Sequence, residues 1–290
     1  MNSGKELMKR SLEGLSVGDA FGERFFQPPG ILEAALSERR VPTRPPWNWT
    51  DDTAMAISLV ETLNAHGTLN ADDFAQRLGR RYTAEPSRGY GAGAHDVLAQ
   101  LSLGVPWAKA ASSLFDGQGS MGNGAAMRVA PLGAFFSHAP LSTVVEEANR
   151  SAAVTHAHPE GQAGAVAVAV TAACLAKGEP LAMVWTHVLA RTPHSQTRDG
   201  LERASRLGFD VPATHAALKL GNGAKVLSQD TVPFSIWCAL KHHGDFQEAM
   251  WSTVSGLGDR DTTCAIVGGL VSLQNPPPAE WVRSREALPL

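Results

Sequence analysis

Cysteine, runs of positive charge and long apolar runs are what this sequence has least of. Its three cysteines, Cys174, Cys238 and Cys264, are far apart and embedded among Ala, Val, Ile and Leu. They read as buried free thiols, and with no CxxC pair a thiolate metal site or redox dithiol is absent. Lys and Arg total 25 against 28 Asp and Glu, a net charge of −3, with no basic block. The electrostatic ground for a nucleic-acid or anionic-membrane partner is therefore missing. No apolar stretch approaches the roughly 18 residues of a membrane span; the greasiest, residues 163–175, is alanine-dense and mid-chain. The opening Met1-Asn2-Ser3-Gly4-Lys5-Glu6 mixes charges and lacks the apolar core of a secretory leader, so the cytoplasm is the expected compartment.

Sustained period-two alternation is also missing, whereas apolar residues recur at spacings of three and four. The pattern predicts an all-α protein, with helices over residues 5–22, 51–66, 71–82, 93–102, 124–136, 141–155, 160–177, 232–240 and 261–273. Many are rich in Ala and Gly, which permits close axis-to-axis packing in a multi-helix bundle. Proline-rich residues 27–49 and Gly/Ser-rich residues 116–123 read as loops, and neither separates two cores. No repeat of 20 to 50 residues is present. The expectation is one domain over residues 1–275, with residues 276–290, opened by Pro276-Pro277-Pro278, as a peripheral tail.

Chemistry concentrates in two acidic motifs. Thr50-Asp51-Asp52-Thr53 directly precedes the apolar periodicity of Met55, Ile57, Leu59, Val60 and Leu63, which places adjacent carboxylates at a helix N-terminus. Capping and the helix dipole account for one such acid. Two exceed what one cap needs, and their repulsion in a cleft calls for a cation. Some 200 residues later Gly258-Asp259-Arg260-Asp261-Thr262 repeats the pattern before a second apolar helix. Asp at i and i+2, with a neighbouring Thr hydroxyl, is the all-oxygen ligand set that Mg²⁺ or Mn²⁺ takes. Four carboxylates balance two divalent ions. No His or Cys clusters near either motif, which disfavours zinc.

Between them lies Gly117-Gln118-Gly119-Ser120-Met121-Gly122-Asn123-Gly124. Its glycines allow close backbone approach, and a helix start after it suits a phosphate or pyrophosphate, though a purely structural turn reads equally well. It lacks the lysine-serine pair of a Walker loop and the strand of a Rossmann turn. Gly221-Asn222-Gly223 reads as a structural turn, and residues 229–240 as a capped helix with no chemistry. Thr155-His156-Ala157-His158 has no third nitrogen or sulfur ligand nearby. A hydrogen-bonded structural histidine, or one touching a ligand hydroxyl, are its two readings.

In order, Gly18-Asp19-Ala20-Phe21-Gly22, Thr50-Asp51-Asp52-Thr53, Gly122-Asn123-Gly124-Ala125-Ala126-Met127-Arg128, Thr155-His156 and Gly258-Asp259-Arg260-Asp261-Thr262 span nearly the whole chain. This set resembles the ADP-ribosylglycohydrolase family, which includes ADP-ribosyl-acceptor hydrolases and dinitrogenase reductase-activating glycohydrolases. The resemblance implies a single-domain all-α fold with two Mg²⁺ or Mn²⁺ ions at the bottom of an ADP-ribose cleft, acting on ADP-ribosylated substrates. It implies metal ligation by Thr50, Asp51, Asp52, Asp259, Asp261 and Thr262, with Asp51, Asp52 and Asp261 catalytic. Gly119, Ser120, Met121, Gly122 and Asn123 would hold the diphosphate and neighbouring ribose, and His156 would touch the ligand.

Two positions depart from the family pattern. Many members carry Glu four residues after the second Gly of the first motif, where this chain has Phe26; Glu23 lies three residues earlier and is the stand-in catalytic candidate. Arg260 replaces the small Thr usual between the two aspartates. The Phe26 departure motivates a rival reading, a non-catalytic ADP-ribose binder. A metal-stabilised structural bundle is a third. A prenyl-transfer site is disfavoured, because Asp51-Asp52-Thr53-Ala54-Met55 lacks the final acid of an Asp-Asp-x-x-Asp motif.

Overall fold

Apolar periodicity becomes seventeen helices and no named strand among residues 2–289, which the computed structural model describes. The first six are α1 (Asn2–Glu23), α2 (Pro29–Ser37), α3 (Asp51–His66), α4 (Ala71–Ala84), α5 (Ala92–Ser102) and α6 (Trp107–Ser113). Next come α7 (Gly124–Met127), α8 (Ala130–Phe135), α9 (Leu141–Ala153), α10 (Pro159–Ala176), α11 (Leu181–Arg191) and α12 (Gln196–Arg206). The chain ends with α13 (Ala213–Leu220), α14 (Ser228–Lys241), α15 (Phe246–Val254), α16 (Arg260–Val271) and α17 (Ala279–Ser284). Among the described residues no helix is long and apolar enough to cross a membrane.

α10 is the axis of the bundle. Residues 163–175 are buried on every face, as expected of a helix that is apolar all round and so must be wrapped by others. Alanine dominates it, so α7, α8, α9, α14 and α16 all pack against it. An equally close approach lies between α1 and α16. Gly14, Gly18 and Gly22 form a stripe at four-residue spacing along α1, and it lies directly on the backbone of α16. A Cβ at Gly18 would come within 2.1 Å of the Cys264 carbonyl, and one at Gly22 within 2.2 Å of the Arg260 carbonyl. This seam brings the C-terminal half of α1 against the first turn of α16.

Proline is the main source of difference from the sequence expectation. Residues 27–49 contain α2, which starts at Pro29; proline in the first turn has no N–H to lose and a preset φ, so it begins a helix rather than breaking one. Pro106, Pro140, Pro180, Pro212 and Pro278 likewise immediately precede α6, α9, α11, α13 and α17. The expected helix over 124–136 is two, α7 and α8, because Pro131 cannot continue a ladder from Met127 and sits instead in a new first turn. Conversely, α14 runs through Pro233 near its start. The helices α11, α12, α13 and α15 had no counterpart in the periodicity reading.

Residues 276–290, expected as a peripheral tail, contribute to the core. Trp281 is buried and stacks on Phe21 of α1 at 4.7 Å, within an aromatic cluster that includes Phe25, Trp47 and Trp251. The Trp47 N–H donates to the Ser284 carbonyl at 2.6 Å, which fastens the segment before α3 to the end of α17. Burial of an aromatic of this size outweighs the local signal of the prolines.

The seam makes a direct prediction. Gly18→Ala should destabilise the fold by about 1–3 kcal/mol through forced separation of α1 and α16. Gly30→Ala, where a Cβ meets nothing within 4 Å, should stabilise by roughly 0.5–1 kcal/mol. Thermal or urea unfolding of the two variants checks both signs.

Candidate active site

The start of α3 is capped locally by Thr50, whose hydroxyl accepts from Asp52 N at 3.4 Å, and also from outside itself. Asp19, buried on α1, accepts hydrogen bonds from Thr50 N (3.0 Å), Thr53 N (3.1 Å), Thr50 Oγ1 (2.9 Å) and Thr53 Oγ1. Asp51 N donates to the Arg88 carbonyl at 2.7 Å. With the first-turn N–H groups satisfied elsewhere, the carboxylates of Asp51 and Asp52 are released from capping duty. The Thr50 hydroxyl has one proton and two carboxylate oxygens in reach, Asp19 Oδ1 at 2.9 Å and Asp52 Oδ2 at 3.0 Å. Asp52 Oδ1 is buried with no hydrogen-bond partner among the described residues.

The second acidic motif arrives on the α1–α16 seam. Asp259 precedes α16 but makes no side-chain cap; its Oδ2 instead accepts from Asn123 Nδ2 at 2.7 Å. Asp261 Oδ1 is a second buried oxygen without a partner. Thr262 Oγ1 lies 3.4 Å from Asp52 Oδ2, so the two Asp-Asp-Thr motifs, some 200 residues apart in sequence, meet. Asp51, Asp259, Asp261 and Thr262 line one cleft of about 640 Å³. Thr50 and Asp52 are buried beside it. Glu23, the last residue of α1, is exposed and is not part of the cleft lining. The two departures from the family pattern touch each other: the Arg260 guanidinium lies 4.8 Å from the centre of the Phe26 ring and donates to the Phe25 carbonyl at 3.1 Å.

Crowding these buried acids together makes ionisation costly. Burial lifts Asp19 to about 6 against the hydrogen bonds that favour its charge. Burial, then the charge of Asp19, lifts Asp51 to about 8. Asp52 and Asp261 are pushed well above the usual carboxylate range, by burial first and then by neighbouring aspartates. Among the described residues, no three His, Cys, Asp or Glu side chains stand as a ready-made metal cage. What the pocket offers is an all-oxygen set mixing carboxylates with threonine hydroxyls, including two unpartnered buried oxygens. That chemistry fits a hard cation and not zinc.

The cleft's opposite wall is the glycine-rich loop. At Gly119, φ is 79°, and a Cβ would stand 2.7 Å from His158 N, so only glycine fits the loop against the His156 segment. Ser120 Oγ accepts from Gly122 N at 3.0 Å, and Gly119, Ser120, Met121, Gly122, Asn123 and His156 all line the cleft. Asn123 is committed to protein, donating to Asp259 and to Thr231 Oγ1. His158 caps α10 by accepting from Glu160 N, the structural role.

Several site-building residues carried no assignment from sequence. Asp19 was visible only as part of the first motif; an aspartate inside an apolar, glycine-striped helix is the signal that it must be buried and bonded. The turn at Gly221-Asn222-Gly223 belongs to the site: the Asn222 carbonyl accepts from Asp259 N at 3.1 Å, and the following residues pair with the glycine-rich loop through an isolated bridge between Gly122 and Leu227. Thr231 of α14 bonds to Asn123. Arg88, whose carbonyl holds Asp51, lies over Trp49 at 3.5 Å and donates to both oxygens of Glu286 at 2.7 and 2.8 Å. The C-terminal segment is thereby tied to the site.

An all-α bundle with an acid-lined, glycine-walled cleft defines a class of helical protein built around clustered aspartates. The ADP-ribosylglycohydrolase family model matches residues 3–284, and the chain belongs to that family. It is 31% identical over 278 residues to an uncharacterised protein of Archaeoglobus fulgidus, covering 92% of this chain and 87% of that one. It is 29% identical over 302 residues to ADP-ribosylhydrolase ARH3 of Gallus gallus (91% and 80% covered). The human ARH3 is 29% identical over 278 residues, covering 82% and 74%. A solved structure described as an ADP-ribosylglycohydrolase-related protein complex superposes with a TM-score of 0.69 over 99% of this chain and 94% of that one, at 24% identity, which establishes the shared fold.

The acid cluster sets a pH dependence. Asp19 and Asp51 titrate at about 6 and about 8 when folded, above the ordinary 3.8. The folded state therefore holds protons that the unfolded state has released, and this stability is full below 3.8 and lost as pH rises through 6 and 8. In chelator, the melting temperature should fall as pH rises from roughly 5 to 8.5, as followed by circular dichroism.

Proposed function

We propose that this protein hydrolyses the glycosidic bond between ADP-ribose and an acceptor such as an ADP-ribosylated side chain, with two Mg²⁺ or Mn²⁺ ions held by Thr50, Asp51, Asp52, Asp259, Asp261 and Thr262. The observation that carries the proposal is the meeting of the two Asp-Asp-Thr motifs at one end of the cleft, with one buried carboxylate oxygen on each of Asp52 and Asp261 that has no partner among the described residues. The relatives named ADP-ribosylhydrolase support the substrate class.

The cleft's volume is in the range that buries most of a nucleotide-sized ligand. Val97, Leu114, Phe115 and Val226 provide apolar wall for a base. The backbone of Gly119 to Gly122 with the Ser120 hydroxyl suits a diphosphate, and buried Arg128, which donates to the Gly124 carbonyl at 3.3 Å, places a positive charge behind that loop. This orientation points the ribose at the acids. Bound there, divalent ions would balance the clustered carboxylates, orient ribose hydroxyls and lower the pKa of water. Asp51 faces the cleft, and its ionised carboxylate would accept the proton of the attacking water as positive charge builds on the sugar ring. Asp52 and Asp261 would ligate the ions at the base of the cleft.

One observation favours the non-catalytic binder: Phe26 occupies the usual Glu position, and Glu23 is not in the cleft lining. Release of ADP-ribose from ADP-ribosylated arginine and serine peptides, beside calorimetry with ADP-ribose, separates the two. Binding without release from any acceptor supports the binder.

Asp52→Asn should lower ADP-ribose release by at least about 100-fold. The same change removes a buried acid that resists ionisation, so in chelator at pH 8 the variant should melt at or above the wild-type temperature. Full turnover in this variant overturns the assignment.

A further inference from the structure

Arg128 is fully buried between the glycine-rich loop and α9, and among the described residues its guanidinium meets no carboxylate. Its partners are the Gly124 carbonyl at 3.3 Å, the Ser151 carbonyl at 2.9 Å and Thr155 Oγ1 at 2.9 Å. A buried arginine without a counter-ion is costly to maintain, which directs attention to what it touches. Thr155 Oγ1 also lies 2.7 Å from His156 Nδ1. Among the described residues, those two contacts are the only hydrogen bonds that Thr155 Oγ1 makes.

Donor and acceptor accounting then fixes the direction of the chain. A guanidinium only donates, so Thr155 Oγ1 accepts from Arg128. The threonine hydroxyl proton has one acceptor in reach, His156 Nδ1, which must therefore present a lone pair. The ring proton is left on Nε2. Among the described residues that nitrogen has no hydrogen-bond partner, and it stands beside the glycine-rich loop: a Cβ at Gly122 or at Gly124 would lie 3.5 Å from it. The ring is buried and lines the cleft. Burial, with the Arg128 charge second, holds it neutral, down to about 3.

We propose that Arg128 and Thr155 are positioning residues that fix His156 as the neutral tautomer protonated on Nε2, making it a hydrogen-bond donor to an oxygen of the ligand beside the glycine-rich loop. The identity of that ligand as an ADP-ribosyl group rests on the function proposed above; the tautomer does not. The buried cation thus acts through two hydrogen bonds on a group that meets the ligand. A histidine protonated on Nδ1 would reverse the polarity and offer a lone pair to a phosphate or hydroxyl oxygen.

Nitrogen-15 spectra of histidine-labelled protein read the tautomer directly, with His156→Asn assigning the resonances by their disappearance. The expected result is a pyrrole-type Nε2 and a pyridine-type Nδ1 for His156 at neutral pH. Thr155→Ser should preserve this pattern. Thr155→Val, of similar shape but without a hydroxyl, should give mixed tautomers and weaken ADP-ribose binding on the order of 10-fold, the loss of one oriented hydrogen bond. A wild-type His156 protonated on Nδ1 overturns the proposal, as does Thr155→Val with an unchanged tautomer. If Thr155→Val does not fold, the wild-type spectrum still decides the matter. A wild-type protein with the expected tautomer but no affinity for ADP-ribose would overturn the functional reading and the ADP-ribosyl ligand while leaving the tautomer relay standing.

Discussion

One buried carboxylate organises the acidic end of the cleft. Asp19 accepts hydrogen bonds from two backbone amides and two hydroxyls at the start of α3, and together with the Thr50 cap it satisfies the groups that Asp51 and Asp52 would otherwise serve. Because Asp19 rides on α1, and α1 lies glycine-to-backbone on α16, the same helix sets the distance between both acidic motifs. The repulsion built into the pocket follows from this placement. The proposed ions answer a charge problem that the helix seam creates.

Remote capping by a buried acid recurs in the fold. Glu147 of α9 accepts from Leu69 N and Thr68 Oγ1 just before α4. Glu160 of α10 accepts from Gln196 N, Thr197 N and Thr197 Oγ1 at the start of α12. Glu160 joins α10 to the first turn of α12, satisfying orphan amides, whereas Glu147 fastens the loop that leads into α4, whose own cap is Asn70. At α3 the device also leaves the local acids free for other work.

Much of this was legible in sequence. Spacings of three and four gave the long helices within a few residues, because their buried faces must repeat with the helical turn. The motif order gave the family, and the paired acids at helix starts marked the residues that the fold brings together. Short helices were hidden where proline marks a beginning, as at Pro29 and Pro180, since the same residue reads as a breaker. Trp281 was misplaced because three prolines signal periphery locally, while its partner Phe21 is 260 residues away in sequence. Asn222 and Arg88 were invisible for a different reason: each acts on an aspartate through its backbone carbonyl, which no side-chain pattern announces.

The seam between α1 and α16 joins residues 14–22 to residues 260–268, nearly the full span of the chain. Contacts of such separation form late, after the intervening loop closure has been met. A growing polypeptide on the ribosome therefore carries Asp51 and Asp52 through most of its synthesis without Asp259 or Asp261 opposite them. The two acidic motifs can face each other only once α16 has been made and joined to α1, so a chain that stops short of α16 lacks half of the cluster.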